Sequence, residues 1–441
     1  MTAYQEAIDF LYNSVPMFQD VGAGAYKPGL EGVLKLSEAF GNPHKSLRCI
    51  HVAGTNGKGS TSSLIAATLT AAGHRTALYT SPHLLDFRER MRIDGEMISE
   101  DDVVDFVKRY RAMQLPLTPS FFELTTVMAF EWFARSGVEY AVIEVGLGGR
   151  LDSTNIISPL VSVITNISFD HTNLLGNTLG EIAAEKAGII KPHVPVVIGE
   201  AEGEVREVFE EVAERQDAPI CFVQDEMPYV TAAFTGDFID YFPTPFGDSL
   251  RCTLTGEYQP KNAATAMRAL QILRHDCGVR IPDEAAARGF EEVGSLSGLA
   301  GRWMRLSEHP LTICDTGHNT GGWHYLSRQL AELSKDGNLQ MVIGFVNDKD
   351  VSGILEMMPR DARYCFTQAS VRRALPAEDL ADQARKAGLK GEAYASVAEA
   401  YRAARKSAGE SGTIFVGGST FVVADLLALA TQQADGTYFI E

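Results

Sequence analysis

A strand that runs into a glycine-rich turn and straight on into a helix leaves a chain few ways to fold, and residues 47–72 have that form. An apolar run ends at Ala53, Gly54-Thr55-Asn56-Gly57-Lys58-Gly59-Ser60 follows, and a helical stretch continues over 61–72. Such a unit belongs in a parallel sheet, whose neighbouring strands need long crossover connections. The glycines let successive backbone N–H groups point at anionic oxygens, and the helix N-terminus favours negative charge. Lys58 adds a mobile cation, and the Ser60 hydroxyl can reach a divalent metal. The segment reads as a cradle for a nucleoside triphosphate. It departs from the general G-x-x-x-x-G-K-[ST] string, because Val52 stands at the first glycine and Gly59 separates Lys58 from the hydroxyl. A turn without a ligand is the alternative for the bare string, and the flanking strand and helix argue against it.

The rest of the chain repeats the strand–helix alternation. Strands are expected at 47–53, 76–80, 140–145, 161–166 and 194–198, with helices starting near Lys58, Glu100, Phe121, Leu179 and Glu204. Between Met227 and Glu257 short alternating runs with Gly236, Pro243, Pro245 and Gly247 predict antiparallel hairpins, followed by a helix over 262–274. The Gly, Ser and Leu-rich stretch 294–301 is the expected linker, and strands resume at 311–315, 340–345, 363–367 and 413–417. The fold class is therefore α/β, with a large domain over 1–297, mostly parallel with a small antiparallel section, and a smaller one over 298–441.

Composition sets limits on partners. The 441 residues carry 39 Lys and Arg against 57 Asp and Glu, a formal net charge of −18 that argues against binding a nucleic-acid backbone. No uninterrupted apolar run is long enough to span a bilayer, and the acidic N-terminus is no secretory signal. Six scattered cysteines without a C-x-x-C pair read as reduced thiols in a cytoplasmic protein.

Several further residues stand where chemistry is expected. Glu144 ends an apolar strand and is followed by Gly146, Gly148 and Gly149, which leaves room for a ligand beside the carboxylate; a solvated strand end is the alternative. His171, in Asp170-His171-Thr172, would by itself be a capping or core residue. Ser81 opens a Ser-Pro turn. Lys186 in a helical stretch would ordinarily be a solvated charge. Phe121 and Phe122 begin a helix, and hydrophobic core is the competing reading for at least one of them.

The loop Gly54–Ser60 resembles that of the ATP-dependent amide-bond ligases, and most closely that of folylpolyglutamate synthase and the bifunctional dihydrofolate synthase. The same resemblance is carried by Thr80-Ser81-Pro82-His83-Leu84, Phe87-Arg88-Glu89-Arg90, Phe121-Phe122-Glu123-Leu124-Thr125, and the run from Glu144 to Asn155. Asp170-His171-Thr172, Glu185-Lys186-Ala187-Gly188, Gly301-Arg302-Trp303 and Asp315-Thr316-Gly317-His318-Asn319 extend it over most of the chain. It implies a P-loop ATPase domain, a Rossmann-like C-terminal glutamate ligase domain, and a cleft between them that closes to exclude water.

The resemblance also implies roles. Lys58, Glu144, His171 and Lys186 would be catalytic. Gly54, Thr55, Asn56, Gly57, Lys58, Gly59, Ser60, Asn262, Arg302 and Asp315 would bind ATP. Ser81, Glu144, His171 and Lys186, the last as a carbamate, would hold Mg2+, two ions in all, with Ser60 a further candidate ligand. Phe121, Phe122, Glu123, Leu151, Asp152 and Ser153 would face a pterin, with Asp152 tied to dihydropteroate use. The segment Val21–Lys27 is placed as a lid, His318 as a substrate-side or interface residue, and Asp348-Lys349-Asp350 as a match to the family's pattern or a solvated loop. For Arg302 a linker salt bridge, and for Asp315 a helix cap, remain the plain readings.

The expected activity is ATP-dependent addition of L-glutamate to dihydropteroate, and to the γ-carboxylate of tetrahydrofolates, through an acyl phosphate, by a cytoplasmic monomer. A monofunctional folylpolyglutamate synthase, a ligase of the muramyl-peptide type and a nucleotide-gated binding protein without turnover are the alternatives. The segments 121–125 and 151–155 speak for folate, and the joint presence of Lys58, Glu144, His171 and Lys186 speaks for turnover.

Overall fold

Strand β1 (Cys49–Ala53) lies inside an eight-stranded sheet with β2 (Thr76–Tyr79), β3 (Met91–Ile93), β4 (Glu96–Met97), β5 (Tyr140–Glu144), β6 (Val161–Ile164), β7 (Val196–Ile198) and β8 (Ile220–Phe222), in the order β4-β3-β2-β5-β1-β6-β7-β8. This is a computed structural model, described over residues 2–13, 29–335, 337–347, 351–433 and 438–440. The chain separates into two compact units, 1–253 with 259–298, and 254–258 with 299–441.

In the first unit every pairing from β2 to β8 is parallel, and β3 and β4 add an antiparallel edge. Val52 of β1 stands opposite Glu144 on one side and Val163 on the other. All residues of β1, β5 and β6 are buried, as their near-continuous apolar composition requires of strands covered on both faces. The chain leaves β1 toward β2 on one side and reaches β6 on the other, so β1 marks a switch in strand order. The carboxyl ends of strands at such a point open a crevice for ligands.

The helix Lys58–Ala71 after β1 is buried nearly all round, including Ser60, Ser62, Leu64, Ile65, Ala66 and Ala67, as a helix enclosed by neighbours must be. It packs against the helices Gln259–His275 and Asp283–Glu291. Gly289 permits the second approach, since a Cβ there would lie 2.5 Å from the Thr68 Cα. Strands β9 (Thr231–Phe234), β10 (Ile239–Phe242) and β11 (Leu250–Cys252) form a separate antiparallel sheet where the sequence predicts hairpins.

The second unit is built on β12 (Met304–Glu308), β13 (Leu311–Asp315), β14 (Leu339–Ile343), β15 (Arg363–Phe366), β16 (Gly391–Ala393) and β17 (Thr413–Gly417), in the order β12-β13-β17-β14-β15-β16. All but β12 run parallel. Trp323, Phe345, Phe366 and Phe415 fill one core of this unit.

Three expectations need adjustment. The strand predicted over 161–166 stops at Ile164, because Thr165 and Asn166 turn to bond the phosphate loop. The predicted linker is partly helical: Val293–Ser297 forms a short helix with Val293 and Ser297 buried, closed by Gly298 at φ 71°. Residues 254–258 group with the second unit, since Glu257 N–H donates to Gln329 Oε1 (2.8 Å) and the Tyr258 hydroxyl to Asp315 Oδ2 (2.5 Å). Among the described residues no helix is long and apolar enough to cross a membrane, and all six cysteines are free thiols.

Candidate active site

The phosphate loop is braced from the segment after β6. Thr55 N–H donates to the Asn166 carbonyl (2.8 Å) and Asn56 N–H to Asn166 Oδ1 (3.1 Å), while Asn166 Nδ2 and the Thr165 hydroxyl both donate to the Asn56 carbonyl (3.0 and 2.6 Å). Asn56 Nδ2 donates to Ser168 Oγ. Gly54 and Gly57 adopt positive φ, 144° and 84°, and a Cβ at Gly57 would lie 2.1 Å from Asn262 Oδ1. Asn262 is therefore seated against the loop. Lys58 Nζ donates to the Gly54 and Thr55 carbonyls (3.0 Å each), curled over the loop at the helix N-terminus. Ser60 is buried, with Gln259 Nε2 donating to its hydroxyl oxygen (3.3 Å).

Glu144 closes β5 one strand away. It is buried rather than solvated, and its Oε2 accepts the Ser81 N–H at 3.2 Å. The strand-end carboxylate and the Ser-Pro turn, 63 residues apart in sequence, thus meet. The glycine loop beyond Glu144 is held by buried Asp152, whose Oδ2 accepts Leu147 N–H (2.8 Å) and whose Oδ1 accepts both the N–H (2.9 Å) and the hydroxyl (2.5 Å) of Thr154. Burial pushes the Asp152 carboxyl above its ordinary pKa, against the lowering effect of these donors.

Lys186 sits beneath this loop. A Cβ at Gly149 would lie 3.0 Å from the Lys186 Cα, and Arg150 N–H donates to the Glu185 carbonyl at 2.7 Å. The solvated lysine of the plain sequence reading is in fact buried; burial first, then the charge of Lys58, lowers its pKa to about 7, against Asp170 and Asp152. His171 has φ 51° and precedes the short helix Thr172–Leu175, its N–H donating to Asp170 Oδ1 (2.8 Å).

The aromatic pair divides its labour. Phe121 is core, packed on Tyr12 and Phe87, while Phe122 is partly exposed with its ring against Gly146, where a Cβ would come within 2.4 Å. Glu123 closes a capping box: its Oε2 accepts the Ser120 N–H (2.6 Å) and hydroxyl (2.9 Å). Leu151 and Ser153 flank Asp152 and are half-buried.

In the second unit Asp315 is buried and caps no helix. It accepts the Trp303 N–H, the Gly317 N–H and the Tyr258 hydroxyl, and burial raises its pKa. Arg302 donates to Thr316 Oγ1 and its charge reaches Asp315, so the plain linker salt bridge gives way to contacts within the unit. His318 Nδ1 lies 3.1 Å from the Thr316 carbonyl, and Asn319 caps the following helix Thr320–Ser334.

Residues 52–270 match the family model described as the Mur ligase middle domain, and residues 301–420 that of the Mur ligase glutamate ligase domain. The dihydrofolate synthase/folylpolyglutamate synthase of Bacillus subtilis is 33% identical over 86% of this chain and 89% of its own length. Its namesake in Escherichia coli is 32% identical over 92% of each. The chain belongs to the folylpolyglutamate synthase/dihydrofolate synthase family. Solved structures agree: Escherichia coli FolC in complex with DHPP and ADP gives a TM-score of 0.83 at 29% identity over 97% of each chain. Mycobacterium tuberculosis folylpolyglutamate synthase complexed with ADP gives 0.85 at 29% identity, over 97% of this chain and 98% of that one.

As a member of this family the protein is an ATP-dependent ligase. Sequence reading missed Thr165, Asn166 and Ser168, which brace the phosphate loop of this synthase-family chain, and His51 and Thr154, which hold Asp152. The available signal was position alone: Thr165, Asn166 and Ser168 follow the end of β6, His51 lies on β1 itself, and Thr154 lies in the short helical turn Ser153–Ile156 between β5 and β6. Residues 21–27 and 348–350 lie outside the described residues.

Proposed function

We propose that this chain adds L-glutamate to dihydropteroate and to the γ-carboxylate of tetrahydrofolates, activating each acceptor as an acyl phosphate. The supporting observation is that the carboxyl ends of the neighbouring strands β1 and β5 carry the phosphate loop and the Glu144–Ser81 contact, with the partly exposed Phe122 ring against Gly146 of the loop that Asp152 holds. The names of its relatives point the same way.

Amide formation from a carboxylate fails in water because the carboxylate is a poor electrophile and hydroxide a poor leaving group. Transfer of the γ-phosphoryl group solves both, and asks of the protein mainly position and charge stabilisation. In this reading the loop amides 54–60 and the Lys58 ammonium hold the triphosphate, Asn262 abuts the loop, and the resemblance assigns Arg302 and Asp315 to the nucleotide as well. Phe122 offers a flat face to the pterin, and Asp152 orients its polar edge. His318 is assigned to the substrate side.

A magnesium ion fits the donor chemistry of Glu144, Ser81 and His171. Among the described residues no three His, Cys, Asp or Glu side chains form a metal cluster; Glu144, Ser81 and His171 are the groups that would hold an ion here. When bound, it supplies charge neutralisation at the phosphates. Lys186, buried and with a pKa near 7, presents a neutral amine that can add to CO2 and lose a proton to give a carbamate, a further oxygen donor for a second ion. Intact-mass measurement in bicarbonate tests this by a gain of one CO2 that Lys186→Met abolishes.

The protein is read as a cytoplasmic monomer. Glutamate-dependent ADP release is expected with dihydropteroate and with tetrahydrofolate. Release with tetrahydrofolate alone would make it a monofunctional folylpolyglutamate synthase, and release only with a muramyl nucleotide would overturn the folate reading.

A further inference from the structure

Asp152 is held by a hydrogen-bond chain that begins on the phosphate-loop strand. His51, three residues before Gly54, is fully buried on β1, and its Nε2 lies 2.9 Å from Thr154 Oγ1. The same hydroxyl lies 2.5 Å from Asp152 Oδ1. A hydroxyl has one proton, and a carboxylate offers only lone pairs, so the Thr154 proton is given to Asp152. His51 must then be the donor to Thr154, which fixes it as the neutral tautomer protonated at Nε2. Its Nδ1 is consistent with this, being buried and without a hydrogen-bond partner among the described residues.

The chain is thus directional: His51 Nε2–H to Thr154 Oγ–H to Asp152 Oδ1. With Thr154 N–H on the same oxygen and Leu147 N–H on the other, the plane of the carboxylate is locked to the glycine loop after Glu144. Buried links of this kind set orientation strongly, because a donor or acceptor left unmatched there costs about 1–3 kcal/mol. Nothing in the nucleotide cradle itself requires a histidine at position 51: the brace on that loop comes from Thr165, Asn166 and Ser168.

We propose that His51 and Thr154 are positioning residues for acceptor recognition, holding the Asp152 carboxylate, and through its Leu147 and Gly146 N–H partners the glycine loop after Glu144, in the orientation that receives the heterocycle. The proposal rests on the folate reading above for the identity of the acceptor, but the hydrogen-bond chain is tested without it.

His51→Gln can carry an N–H to the site of Nε2, whereas His51→Asn cannot reach Thr154; Thr154→Ser keeps the hydroxyl and Thr154→Val removes it. We expect kcat/KM for dihydropteroate to fall at least tenfold in His51→Asn and Thr154→Val and to recover to within threefold of the parent in His51→Gln and Thr154→Ser, with the KM for ATP within twofold throughout. Equal losses in the conservative and disruptive members of each pair, or a rise in the KM for ATP matching the loss, would overturn the proposal. Nitrogen-15 spectra of the histidine side chains decide the chain independently: the parent should show His51, assigned by its loss in His51→Gln, as the Nε2–H tautomer at pH 7. An Nδ1–H tautomer refutes it. If the parent uses no pterin acceptor the folate reading fails, while the tautomer still reports on the chain; if Thr154→Val does not fold, the Asn and Gln pair at position 51 carries the test.

Discussion

At the scale of single residues, the phosphate loop and Glu144 were legible because their chemistry is tied to local order, a strand followed at once by glycines. Lys58→Ala and Glu144→Ala should each lower the rate of ADP release by about 10²–10³-fold or more, the cost of removing one group that stabilises developing charge. Circular dichroism should show an unchanged fold, and a near-normal rate in either variant would refute its assigned role. Lys186 was legible only through the resemblance, since nothing in Glu185-Lys186-Ala187 announces burial; that comes from Gly149, which lets the loop close over it. Its lowered pKa has a consequence for stability. Below pH 7 Lys186 is protonated in folded and unfolded chains alike, and the folded state bears the full cost of a buried cation. Between about pH 7 and 10.5 the unfolded chain holds the proton that the folded one has released, so stability rises with pH, by at most about 1.4 kcal/mol per unit. Urea unfolding in CO2-free buffer should therefore show Lys186→Met more stable than the parent at pH 6.5, with the gap shrinking by pH 9. A gap independent of pH would remove the buried-amine account.

At the scale of elements, the alternation of apolar runs and amphipathic stretches locates the parallel strands, because a strand buried on both faces has few compositions open to it. What it cannot locate is where a strand stops for a tertiary reason. Thr165 and Asn166 continue the β-branched and polar texture of β6, yet they leave the sheet because the phosphate loop offers their side chains and backbone partners. Glu123 is a similar case. Its place three residues after Ser120 is the sequence form of a capping box, and the observed bonds give it that local role, which the resemblance does not mention. The tight crossing of Lys58–Ala71 with Asp283–Glu291 likewise depends on one glycine that no periodicity singles out. Gly289→Ala should destabilise the first unit by about 1–3 kcal/mol, since its methyl group would meet the Thr68 backbone and force the helices apart. A lower denaturant midpoint with an unchanged slope checks this; an unchanged midpoint would show that the crossing has slack.

At the scale of the whole molecule, the net charge of −18 sets a surface against the anions that the proposed reaction uses: ATP, glutamate and a carboxylated acceptor. Many of the acidic groups are solvated or held in exposed pairs such as Arg206–Asp225 and Arg251–Asp240, which contribute little to stability. On the reading proposed above the attraction is instead local, from Lys58 and the loop amides. These two contributions respond differently to salt. Repulsion between the surface and an approaching anion acts across several ångströms of water and is screened over a Debye length of about 8 Å at physiological ionic strength, whereas contacts made inside the loop are screened much less. Raising ionic strength from about 0.05 to 0.2 M with Mg2+ in excess should therefore leave the KM for glutamate and for ATP flat or lower it, by about twofold at most. A severalfold rise over that range would mean that long-range attraction recruits these substrates, and that cations beyond the few named here shape the field at the site.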